Sequence, residues 1–462
     1  MSKLQNQHPL RVLLVHPGTQ HAPRLAATLE QRGLLWRFWT GFAKANGRRE
    51  ADYRTTGRKD NWTECTEVAN FDRDQFDILQ EGKRRRVVDI PGEKLRTVPW
   101  VEVMALLLAR LPVNKEKLWH WRNGVFQKLV PQREIEAADV VVGFDTSAWI
   151  VGERAKRAGK KFVLDQSVGH PLSRAMAVRE AGGTEEMWPE AFTERPLPVS
   201  KAEATEHELA DIVVAASSFS KKTLIENGVA EAKIRVIPYG VGGEFLQAGS
   251  ARCAYFDRDN FDILKEDGPA TSDSSPVTKP FRFLYAGYLT KRKGIGVLME
   301  AWGGRSADFD RKNFDILTDN QRAELRLVGG GDRPEPLPAG VVCLGQTPRD
   351  ALLREMSEAD VFVFPSLFEG FALVILEAMA AGLPLITTPN TAGPDLIEHG
   401  KEGLIVPAGD ANALREAMES LLNDRECARA MGRAAHEKAK EYTWKRYGER
   451  WEGMLQELRA SF

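Results

Sequence analysis

The chain has 462 residues, a formal net charge of −1 and a hydrophobic content of 43%. This length suits two domains of ordinary size, each able to bury its own core, and this composition excludes a chain that is disordered by default. The balanced charge argues against a nucleic-acid-binding role for the whole surface, because such proteins carry a basic excess.

Four cysteines are spread widely along the chain, at Cys65, Cys253, Cys343 and Cys427. Their separations match neither a metal-binding spacing nor a disulfide framework, which indicates a reducing compartment. The apolar run near the N-terminus is too short for a signal peptide, and no stretch reaches membrane-spanning length. The sequence therefore predicts a soluble cytoplasmic protein.

A strand, a turn and a helix are predicted at the start of the chain, over residues 11–16, 17–21 and 22–32. This order is typical of a doubly wound domain, in which ligands bind at the carboxyl ends of the strands. No GxGxxG motif follows the strand, so a dinucleotide is not indicated. Gly18 could let a diphosphate or an acceptor approach the backbone, or it could be a plain turn glycine.

An amphipathic helix is predicted over residues 100–111, WVEVMALLLARL, and the stretch over residues 115–129 carries Trp119 and Trp121. Four consecutive basic residues precede them at positions 83–86. One interpretation is a surface that faces a membrane, because apolar side chains beside cations bind anionic lipid. The alternative, which is the default for such a pattern, is a helix that packs on the core beside a solvated basic turn.

Four further buried strands are predicted in the first half of the chain, over residues 138–144, 161–165, 210–216 and 234–238. Asp165 ends the second of these strands, and His170 lies in the loop that follows it. Each residue has a plain interpretation beside a functional one. A loop histidine is usually solvated, and Asp165 could cap the next turn.

Strands and helices continue to alternate in the second half of the chain, beginning with a strand over residues 282–287 and a helix over residues 294–302. Between them, Lys291, Arg292 and Lys293 place cations where a diphosphate could bind. Taken alone, these three residues would indicate a solvated basic turn. Further strands are predicted over residues 325–328 and 341–344.

Two glutamates flank the start of the most apolar helix that the sequence predicts. The run over residues 359–365 predicts a buried strand, and residues 372–381 are rich in Ala, Leu and Met, which favour a helix. Glu369 precedes this helix and Glu377 lies inside it, at a separation of roughly 12 Å.

Each glutamate could bind one end of a sugar nucleotide, because carboxylates accept hydrogen bonds strongly from sugar and ribose hydroxyls. Gly370 and the free N–H groups at the helix start would receive a diphosphate between them. The alternative is one solvated glutamate and one glutamate near a helix N-terminus.

Several segments resemble one enzyme family, in order and at plausible spacing. They are EGFALVILEAMAAGLPLITT (369–388), FRFLYAGYLTKRKGIGVLMEAW (281–302), LRLVGGGD (325–332), VVCLGQ (341–346) and two stretches within 212–241. These segments resemble the donor site of the retaining GT-B glycosyltransferases of family 4, the glycosyl transferases group 1. The resemblance covers most of residues 205–450, whereas the N-terminal third is similar only in outline.

The resemblance implies an α/β fold of the GT-B class, with two Rossmann-like doubly wound domains that face a cleft. Residues 1–245 would form an acceptor-binding domain, and residues 246–440 a nucleotide-sugar-binding domain. Residues 441–462 would form a C-terminal helix that crosses back to the first domain.

The implied activity is the transfer of a sugar from a nucleotide-sugar donor to a hydroxyl of a glycan, glycolipid or small-molecule acceptor. It would retain anomeric configuration and need no metal or cofactor. Lys293 would hold phosphate, with Arg292 beside it, while Glu369 would hold sugar hydroxyls and Glu377 the ribose. Asp165 and His170 would lie near the reacting centre. The remaining donor contacts would come from Gly18, Gly287, Gly370, Phe371, Ala372 and Leu373.

The chain departs from the family pattern at three positions. Tyr288 stands where an arginine commonly follows the strand glycine, and Tyr239 and Gly242 stand where Asn and Asp are more frequent. These departures favour, to a small extent, a non-catalytic binding or scaffold protein that keeps the fold. A nicotinamide-dependent oxidoreductase is a second alternative, against which the missing GxGxxG motif argues.

One ten-residue segment occurs three times, as NFDRDQFDIL (70–79), YFDRDNFDIL (255–264) and DFDRKNFDIL (308–317). The unequal spacing excludes a solenoid. The plain interpretation is an element inserted into loops, where extra length costs little entropy. The alternative is a docking segment, which would recruit partners in the scaffold hypothesis. The Asp-Arg-Asp triplets in two copies are not predicted to bind a metal, because they lie away from the donor segments.

Overall fold

The computed structural model describes residues 8–18, 21–45, 87–258, 280–303 and 323–461. Its contacts divide the chain into a first unit of Met1–His170, Thr193–Pro238 and Trp444–Phe462, and a second unit of Pro171–Phe192 and Tyr239–Thr443. These extents differ from the predicted domains, because residues 171–192 and 239–245 group with the second unit. The assignment of acceptor and donor binding to the two domains stays a prediction.

A parallel sheet forms the centre of the first unit. The described strands of this unit are β1 Val12–His16, β2 Leu35–Thr40, β3 Lys44–Ala45, β4 Val87–Val88, β5 Leu95–Thr97, β6 Val140–Phe144, β7 Lys161–Gln166, β8 Ile212–Ala215 and β9 Ile234–Val236. In the sheet their order is β5-β2-β1-β6-β7-β8-β9, and each neighbouring pair is parallel. Strands β3 and β4 form a separate short ladder.

A second parallel sheet forms the centre of the second unit. Its described strands are β10 Phe281–Ala286, β11 Ala323–Val328, β12 Val341–Gly345, β13 Val361–Phe364, β14 Leu385–Thr387 and β15 Gly403–Ile405. Their order is β12-β11-β10-β13-β14-β15, again with parallel neighbours.

Helices follow most of the strands, as the parallel topology requires. The described α-helices are α1 Ala22–Gln31, α2 Pro99–Leu108, α3 Lys115–Leu129, α4 Gln132–Ala137, α5 Trp149–Arg157, α6 Arg174–Glu180, α7 Leu197–Leu209, α8 Ser218–Glu226, α9 Gly243–Arg258, α10 Ile295–Gly303, α11 Arg349–Glu358, α12 Leu373–Ala380, α13 Gly393–Leu396, α14 Ala411–Asn423, α15 Arg425–Ala439 and α16 Trp444–Ala460. Short 3-10 turns supplement them, including Lys291–Lys293 and Pro171–Ser173.

The central strands of both sheets are mostly apolar, with His16 at the end of β1 and Arg282 in β10 as polar exceptions. Strands β1, β6 and β13 are buried at every position, because helices cover a doubly wound sheet on both faces. In the first unit, Phe126 and Phe162 belong to the core cluster beside this sheet. The predicted α/β class with two Rossmann-like doubly wound domains is confirmed.

The strand order reverses once in each sheet. In the first unit β2 and β6 lie on opposite sides of β1, and in the second unit β11 and β13 lie on opposite sides of β10. The loops after the two strands at such a point diverge and leave a crevice at the carboxyl edge, where doubly wound proteins bind ligands. The loops that follow β1, β6, β10 and β13 are therefore the places to look for a site.

The last helix, α16, belongs to the first unit, where it packs against α1. Its buried face includes Trp444, Tyr447 and Trp451. At Gly448 an added Cβ would lie well under 3.0 Å from the Thr28 side chain, so glycine permits the close approach of the two helices.

Helix α2 has one buried and one exposed apolar face. Val101 and Ala105 are buried, whereas Trp100, Met104 and Leu107 are 52%, 43% and 48% exposed. The helix therefore packs on the core, as the default interpretation predicts, and it also presents apolar side chains to solvent. Contact of this helix with a membrane stays a prediction. Within the described residues, no helix combines the length and apolar character needed to cross a bilayer.

Most of the repeated segment lies outside the described residues, as do the basic residues 83–86 and Cys65. The exception is the start of the second copy, where residues 255–258 continue helix α9. The first four residues of this copy are thus helical, and whether the segment is a plain insertion or a docking segment stays a prediction. A run that begins with helix-compatible residues simply extends the preceding helix, as tertiary packing permits.

Candidate functional site

The loops after β10 and β13 meet at the strand-order reversal of the second unit. The first leads from Gly287 through the turn Lys291–Lys293 to Gly294, and the second leads from Pro365 to Ala372. Leu367 N–H donates to the Arg292 carbonyl at 2.9 Å, and Ser366 Oγ donates to the same oxygen at 3.2 Å. These bonds fix the basic turn against the residues that precede Glu369.

Glu369 pairs with two of the three cations of the basic turn. Its Oε1 lies 2.8 Å from Arg292 Nη1 and 3.3 Å from Lys293 Nζ. The three side chains, which we call the Glu369 cluster, are 9%, 17% and 5% exposed in that order. Two cations and one carboxylate leave a formal charge of +1 in a partly desolvated place. Such a group attracts an anion more strongly than the same charges would in water.

Other contacts hold the Glu369 cluster rigidly. Arg292 Nη1 also donates to the Phe368 carbonyl at 2.8 Å, and Lys293 Nζ lies 5.6 Å from the centre of the Phe364 ring. The Glu369 N–H donates to the Asn390 carbonyl at 2.9 Å. The carboxylate and both cations are therefore placed by backbone and ring contacts before any ligand arrives, which is the condition for electrostatic preorganisation.

Ala372 adopts a left-handed conformation immediately before α12, with φ of 62°. This conformation costs a residue with a Cβ on the order of 1 kcal/mol, so the surrounding structure must impose it. Ala372, the N-cap residue of α12, has no polar side chain with which to cap the helix. The first N–H groups of α12, from Leu373 onward, carry the positive end of the helix dipole beside Gly370. Phe371 itself is buried, with its ring centre 5.1 Å from that of Tyr239.

Glu377 lies one turn into α12 and contacts a residue that the sequence analysis did not single out. Its Oε1 is 3.1 Å from Nη2 of Arg349, the first residue of α11. Arg349 also contacts Glu244 of α9. The structure thus places Glu369 among Lys293 and Arg292, and Glu377 in a separate ionic group. The sequence did not indicate a role for Arg349, because its partners Glu244 and Glu377 lie far from it along the chain.

Glycines let backbone segments touch beside the Glu369 cluster. Gly294 has φ of 74°, and an added Cβ there would lie well under 3.0 Å from the Pro365 carbonyl oxygen. A Cβ on Gly329 would meet the Gly287 carbonyl just as closely. The Tyr288 ring packs over Gly330. Glycine at positions 294 and 329 therefore permits backbone-to-backbone contact between neighbouring loops at this edge of the sheet.

In the first unit, Asp165 pairs with a histidine. His21 Nε2 lies 2.6 Å from Asp165 Oδ2. Both side chains are buried, with 5% of His21 and 4% of Asp165 exposed. Burial raises the pKa of Asp165, and His21 opposes this rise while Asp145 adds to it. His21 was present in the sequence only as the end of the turn after β1. Its position at the strand-order reversal was the signal that could have identified it.

The loop after β6 is held by a buried carboxylate from α7. Glu206 accepts hydrogen bonds from the N–H groups of Thr146 and Ala148, each at 2.7 Å. Thr146 is left-handed, with φ of 66°, and Asn123 donates to its carbonyl at 2.7 Å. Burial raises the pKa of Glu206 well above its usual range, although the two N–H donors oppose the rise.

His170 and Gly18 lie elsewhere at the carboxyl edge of the first sheet. His170 N–H donates to Thr223 Oγ1 at 2.8 Å, and its ring lies 5.1 Å from that of His207. His207 is half-buried, and this partial loss of solvent lowers its pKa to about 4. Its Nε2 lies 2.9 Å from Gln166 Oε1. A Cβ on Gly18 would lie 3.0 Å from Nε2 of His16, so Gly18 packs on that ring. The two predicted residues therefore have different partners: Asp165 pairs with His21, whereas His170 contacts Thr223 and His207.

The part of the chain that the structure describes contains no group of three or more His, Cys, Asp or Glu side chains that could hold a metal ion.

The second unit carries a recognisable domain. Residues 280–424 match the family model for glycosyl transferases group 1. This range contains the Glu369 cluster as well as Glu377 and Arg349.

Curated relatives match over about a third to a half of the chain. The amylovoran biosynthesis glycosyltransferase AmsK of Erwinia amylovora is 34% identical over 144 residues, which are 29% of this chain and 34% of that protein. The capsular polysaccharide biosynthesis glycosyltransferase CapM of Staphylococcus aureus is 26% identical over 230 residues, 48% of this chain and 54% of that protein. The phosphatidyl-myo-inositol mannosyltransferase of Mycobacterium leprae is 32% identical over 158 residues, 34% of this chain and 41% of that protein. The chain thus spans about a third to a half of the length of these relatives.

Solved structures match over the whole fold. The sucrose-phosphate synthase of Thermosynechococcus elongatus aligns over 98% of this chain and 100% of its own, with 17% identity and a TM-score of 0.57. The Anabaena protein Alr3699/HepE, solved in complex with UDP and glucose, aligns over 97% of this chain and 100% of its own, with 14% identity and a TM-score of 0.57. At these identities the likeness concerns the fold, and it confirms the predicted GT-B class.

Proposed function

We propose that the protein is a retaining, metal-independent glycosyltransferase of family 4, which moves a sugar from a nucleotide-sugar donor to a hydroxyl of its acceptor. The observation that carries this proposal is the Glu369 cluster. It combines two cations for a diphosphate with one carboxylate for sugar hydroxyls, at the strand-order reversal of a domain that matches the group 1 glycosyltransferases. The named relatives AmsK and CapM are glycosyltransferases of polysaccharide biosynthesis, which supports the proposal.

Each donor-site residue has a role that follows from its surroundings. Lys293, Arg292 and the N-terminus of α12 bind the diphosphate and stabilise the charge that develops as it leaves. Backbone atoms at Gly287, Gly370, Phe371, Ala372 and Leu373 line this anion site. Glu369 holds the sugar hydroxyls and stabilises positive charge at the reacting carbon, and Glu377 binds the ribose.

Retention follows from attack on the face from which the diphosphate departs. The bond between the anomeric carbon and the phosphate oxygen breaks, the acceptor oxygen bonds to that carbon on the same face, and its proton passes to the leaving phosphate. The cations of the Glu369 cluster stabilise this leaving group without a metal ion. No cofactor takes part.

The acceptor would bind to the first unit, near Asp165, His170 and Gly18, to which the structure adds His21 as the partner of Asp165. A glycan or lipid-linked acceptor is supported by the names of the relatives, one of which is a phosphatidyl-myo-inositol mannosyltransferase. The exposed face of α2, with Trp100, Met104 and Leu107, suits peripheral contact with a membrane. We place the enzyme in the cytoplasm at the inner face of that membrane, without a nucleic-acid partner.

The first test is a thermal-shift screen against UDP, GDP, ADP, CMP and dTDP, with and without EDTA. A ligand that binds only the folded state raises the melting temperature by mass action, so one nucleotide should give a clear shift that EDTA does not remove. A shift that EDTA abolishes would contradict metal independence. Absence of any shift would contradict the enzyme assignment.

The second test is Glu369→Gln. We expect turnover to fall by about a hundredfold or more, because the change removes charge that acts in the transition state. Affinity for the nucleoside diphosphate should hold or rise, since Arg292 and Lys293 lose a competing carboxylate. Glu416→Gln, at an exposed position of α14, serves as the control. If Glu369→Gln retains most of its activity, the role of Glu369 is wrong.

A scaffold function without catalysis is the second candidate, favoured by Tyr288 at the position of a common phosphate-binding arginine. In the structure Tyr285 Oη donates to the Tyr288 carbonyl at 3.0 Å, and the Tyr288 ring covers Gly330. The nucleotide screen separates the two functions, because a scaffold that lacks the donor site would show no shift.

A further inference from the structure

Arg349 lies between two carboxylates that come from different helices. Its Nε and Nη2 are each 2.9 Å from Glu244 Oε1, and Nη2 is also 3.1 Å from Glu377 Oε1. We call these three side chains the Arg349 cluster. The guanidinium is 23% exposed and the carboxylates are 14% and 13% exposed. Charge-assisted bonds in such a half-buried place are stronger and more directional than surface pairs.

Two further contacts fix the guanidinium plane. The Arg349 Cζ lies 4.7 Å from the centre of the Phe245 ring, within the range of a cation–π interaction. Arg349 is the first residue of α11, and Pro348 precedes it in an extended conformation, so the start of its side chain is also fixed. Glu244 and Phe245 therefore fix the Arg349 guanidinium, and its Nη2 also contacts the Glu377 carboxylate.

Glu244 reaches Arg349 because residue 242 is a glycine. An added Cβ on Gly242 would lie well under 3.0 Å from the Glu244 carboxylate oxygens. Gly242 is one of the positions at which the sequence departs from the family pattern, where an aspartate is more frequent. In this chain the carboxylate of Glu244 occupies the space beside residue 242 and accepts a hydrogen bond from Arg349.

We propose that Arg349 is a positioning residue for ribose recognition: it fixes the carboxylate of Glu377 so that this group can accept both ribose hydroxyls. The inference rests on the proposed function, in which Glu377 binds the ribose of the donor. A carboxylate that is already oriented loses less freedom on binding, so its hydrogen bonds contribute more to affinity. The positive charge of Arg349 also offsets the repulsion between the carboxylates of Glu244 and Glu377, both of which contact its guanidinium.

The test compares a nucleoside diphosphate with its 2′,3′-dideoxy analogue, using UDP and dideoxy-UDP, or the GDP or ADP pair if the screen selects that base. Arg349→Met removes the charge but keeps an unbranched side chain. We expect the wild-type protein to bind the complete nucleotide at least about tenfold more tightly than the dideoxy analogue. In Arg349→Met this ratio should fall to about two, while affinity for the dideoxy analogue changes little.

A purely structural role for Arg349 would weaken both ligands alike and leave the ratio unchanged, which would overturn the inference. Turnover at saturating donor should stay within about threefold of wild type, because the ribose lies away from the reacting bond and its contacts are uniform in ground and transition states. A large loss of turnover with an unchanged ratio would also overturn it.

Controls separate this inference from folding and from the proposed function. Arg354→Met removes an arginine from the same helix whose partner, Asp350, is exposed, and it should leave the ratio at the wild-type value. Glu244→Gln tests the same chain of contacts without altering Arg349, and it should lower the ratio by a smaller factor even if Arg349→Met does not fold. If wild-type protein binds no nucleoside diphosphate, the proposed function fails, and the inference fails with it. If wild type binds but does not discriminate against the dideoxy analogue, the inference fails together with the ribose role of Glu377, while nucleotide binding at the donor site stands.

Discussion

At Gly294 the loop after β10 is in close contact with the loop after β13. Replacement of Gly294 by alanine tests whether this contact is needed for the anion site to form. The residue has φ of 74°, and an added Cβ would fall well under 3.0 Å from the Pro365 carbonyl oxygen. An alanine must therefore adopt a left-handed conformation and also push the two loops apart.

Two costs add in this variant. The left-handed conformation costs an L-residue about 1 to 2 kcal/mol. Separation of the loops strains the hydrogen bonds that Leu367 N–H and Ser366 Oγ donate to the Arg292 carbonyl, each of which contributes about 1 kcal/mol. We therefore expect Gly294→Ala to destabilise the second unit by about 3 kcal/mol, which for a unit of this size lowers its melting temperature by roughly 6 to 12 °C.

Gly296 provides a matched control two residues further along. It lies exposed in α10, an added Cβ meets nothing within 4 Å, and alanine favours a helix interior by about 0.5 to 1 kcal/mol over glycine. Calorimetry should therefore show a small rise for Gly296→Ala and a large fall for Gly294→Ala, together with weakened nucleoside diphosphate binding in the second variant only. Equal melting temperatures for the two variants would refute the argument that the loops are in enforced contact.

Two other predictions concern the first unit. Burial lowers the pKa of His207 to about 4, below the value of about 6.5 in an unfolded chain, so the unfolded state binds the proton more readily. The contribution of neutral His207 to the free energy of unfolding is thus complete above pH 6.5 and is lost as the pH falls toward 4. Urea titrations of the wild-type protein should show the free energy of unfolding fall by about 2 kcal/mol between pH 7 and pH 4.5. The His207→Gln variant should lack this fall. A parallel loss in both proteins would point to other groups. On α2, Met104→Ser with Leu107→Ser should reduce sedimentation with anionic phospholipid vesicles severalfold, whereas Leu197→Ser, at an exposed position of the same unit, should not. Equal sedimentation of all three proteins would exclude α2 as a membrane contact.

Continuous apolar runs made the central strands predictable. Strands β1, β6, β10 and β13 lie within one or two residues of the predicted bounds, because a strand covered on both faces reads as a nearly continuous apolar run. Helix α12 was predicted for a similar reason, as Leu373–Ala380 is rich in strong helix formers and ends before Gly382. The loops of the anion site follow directly from these strands.

Pairings between distant residues were not predictable in the same way. Asp165 and His21 are 144 positions apart, and their contact depends on β1 and β7 ending at the same edge of one sheet. Arg349 carries no local pattern at all, since its partners come from α9 and α12. Helix α9 was missed because Gly242 and Gly243 indicate a linker, whereas the structure begins a helix at the second glycine.

The direction of the strands in the second unit has a practical consequence for engineering. Helix α10 ends at Gly303 and β11 begins at Ala323, and because a crossover helix returns antiparallel to its strand, both points lie at the amino edge of the sheet. Lys293 and Glu369 lie at the carboxyl edge, beyond the opposite ends of β10 and β13. A label or an affinity tag attached at either of these two residues is thus separated from the anion site by the full length of the strands. Such an attachment gives a way to immobilise the protein for binding measurements while the Glu369 cluster stays open to ligand.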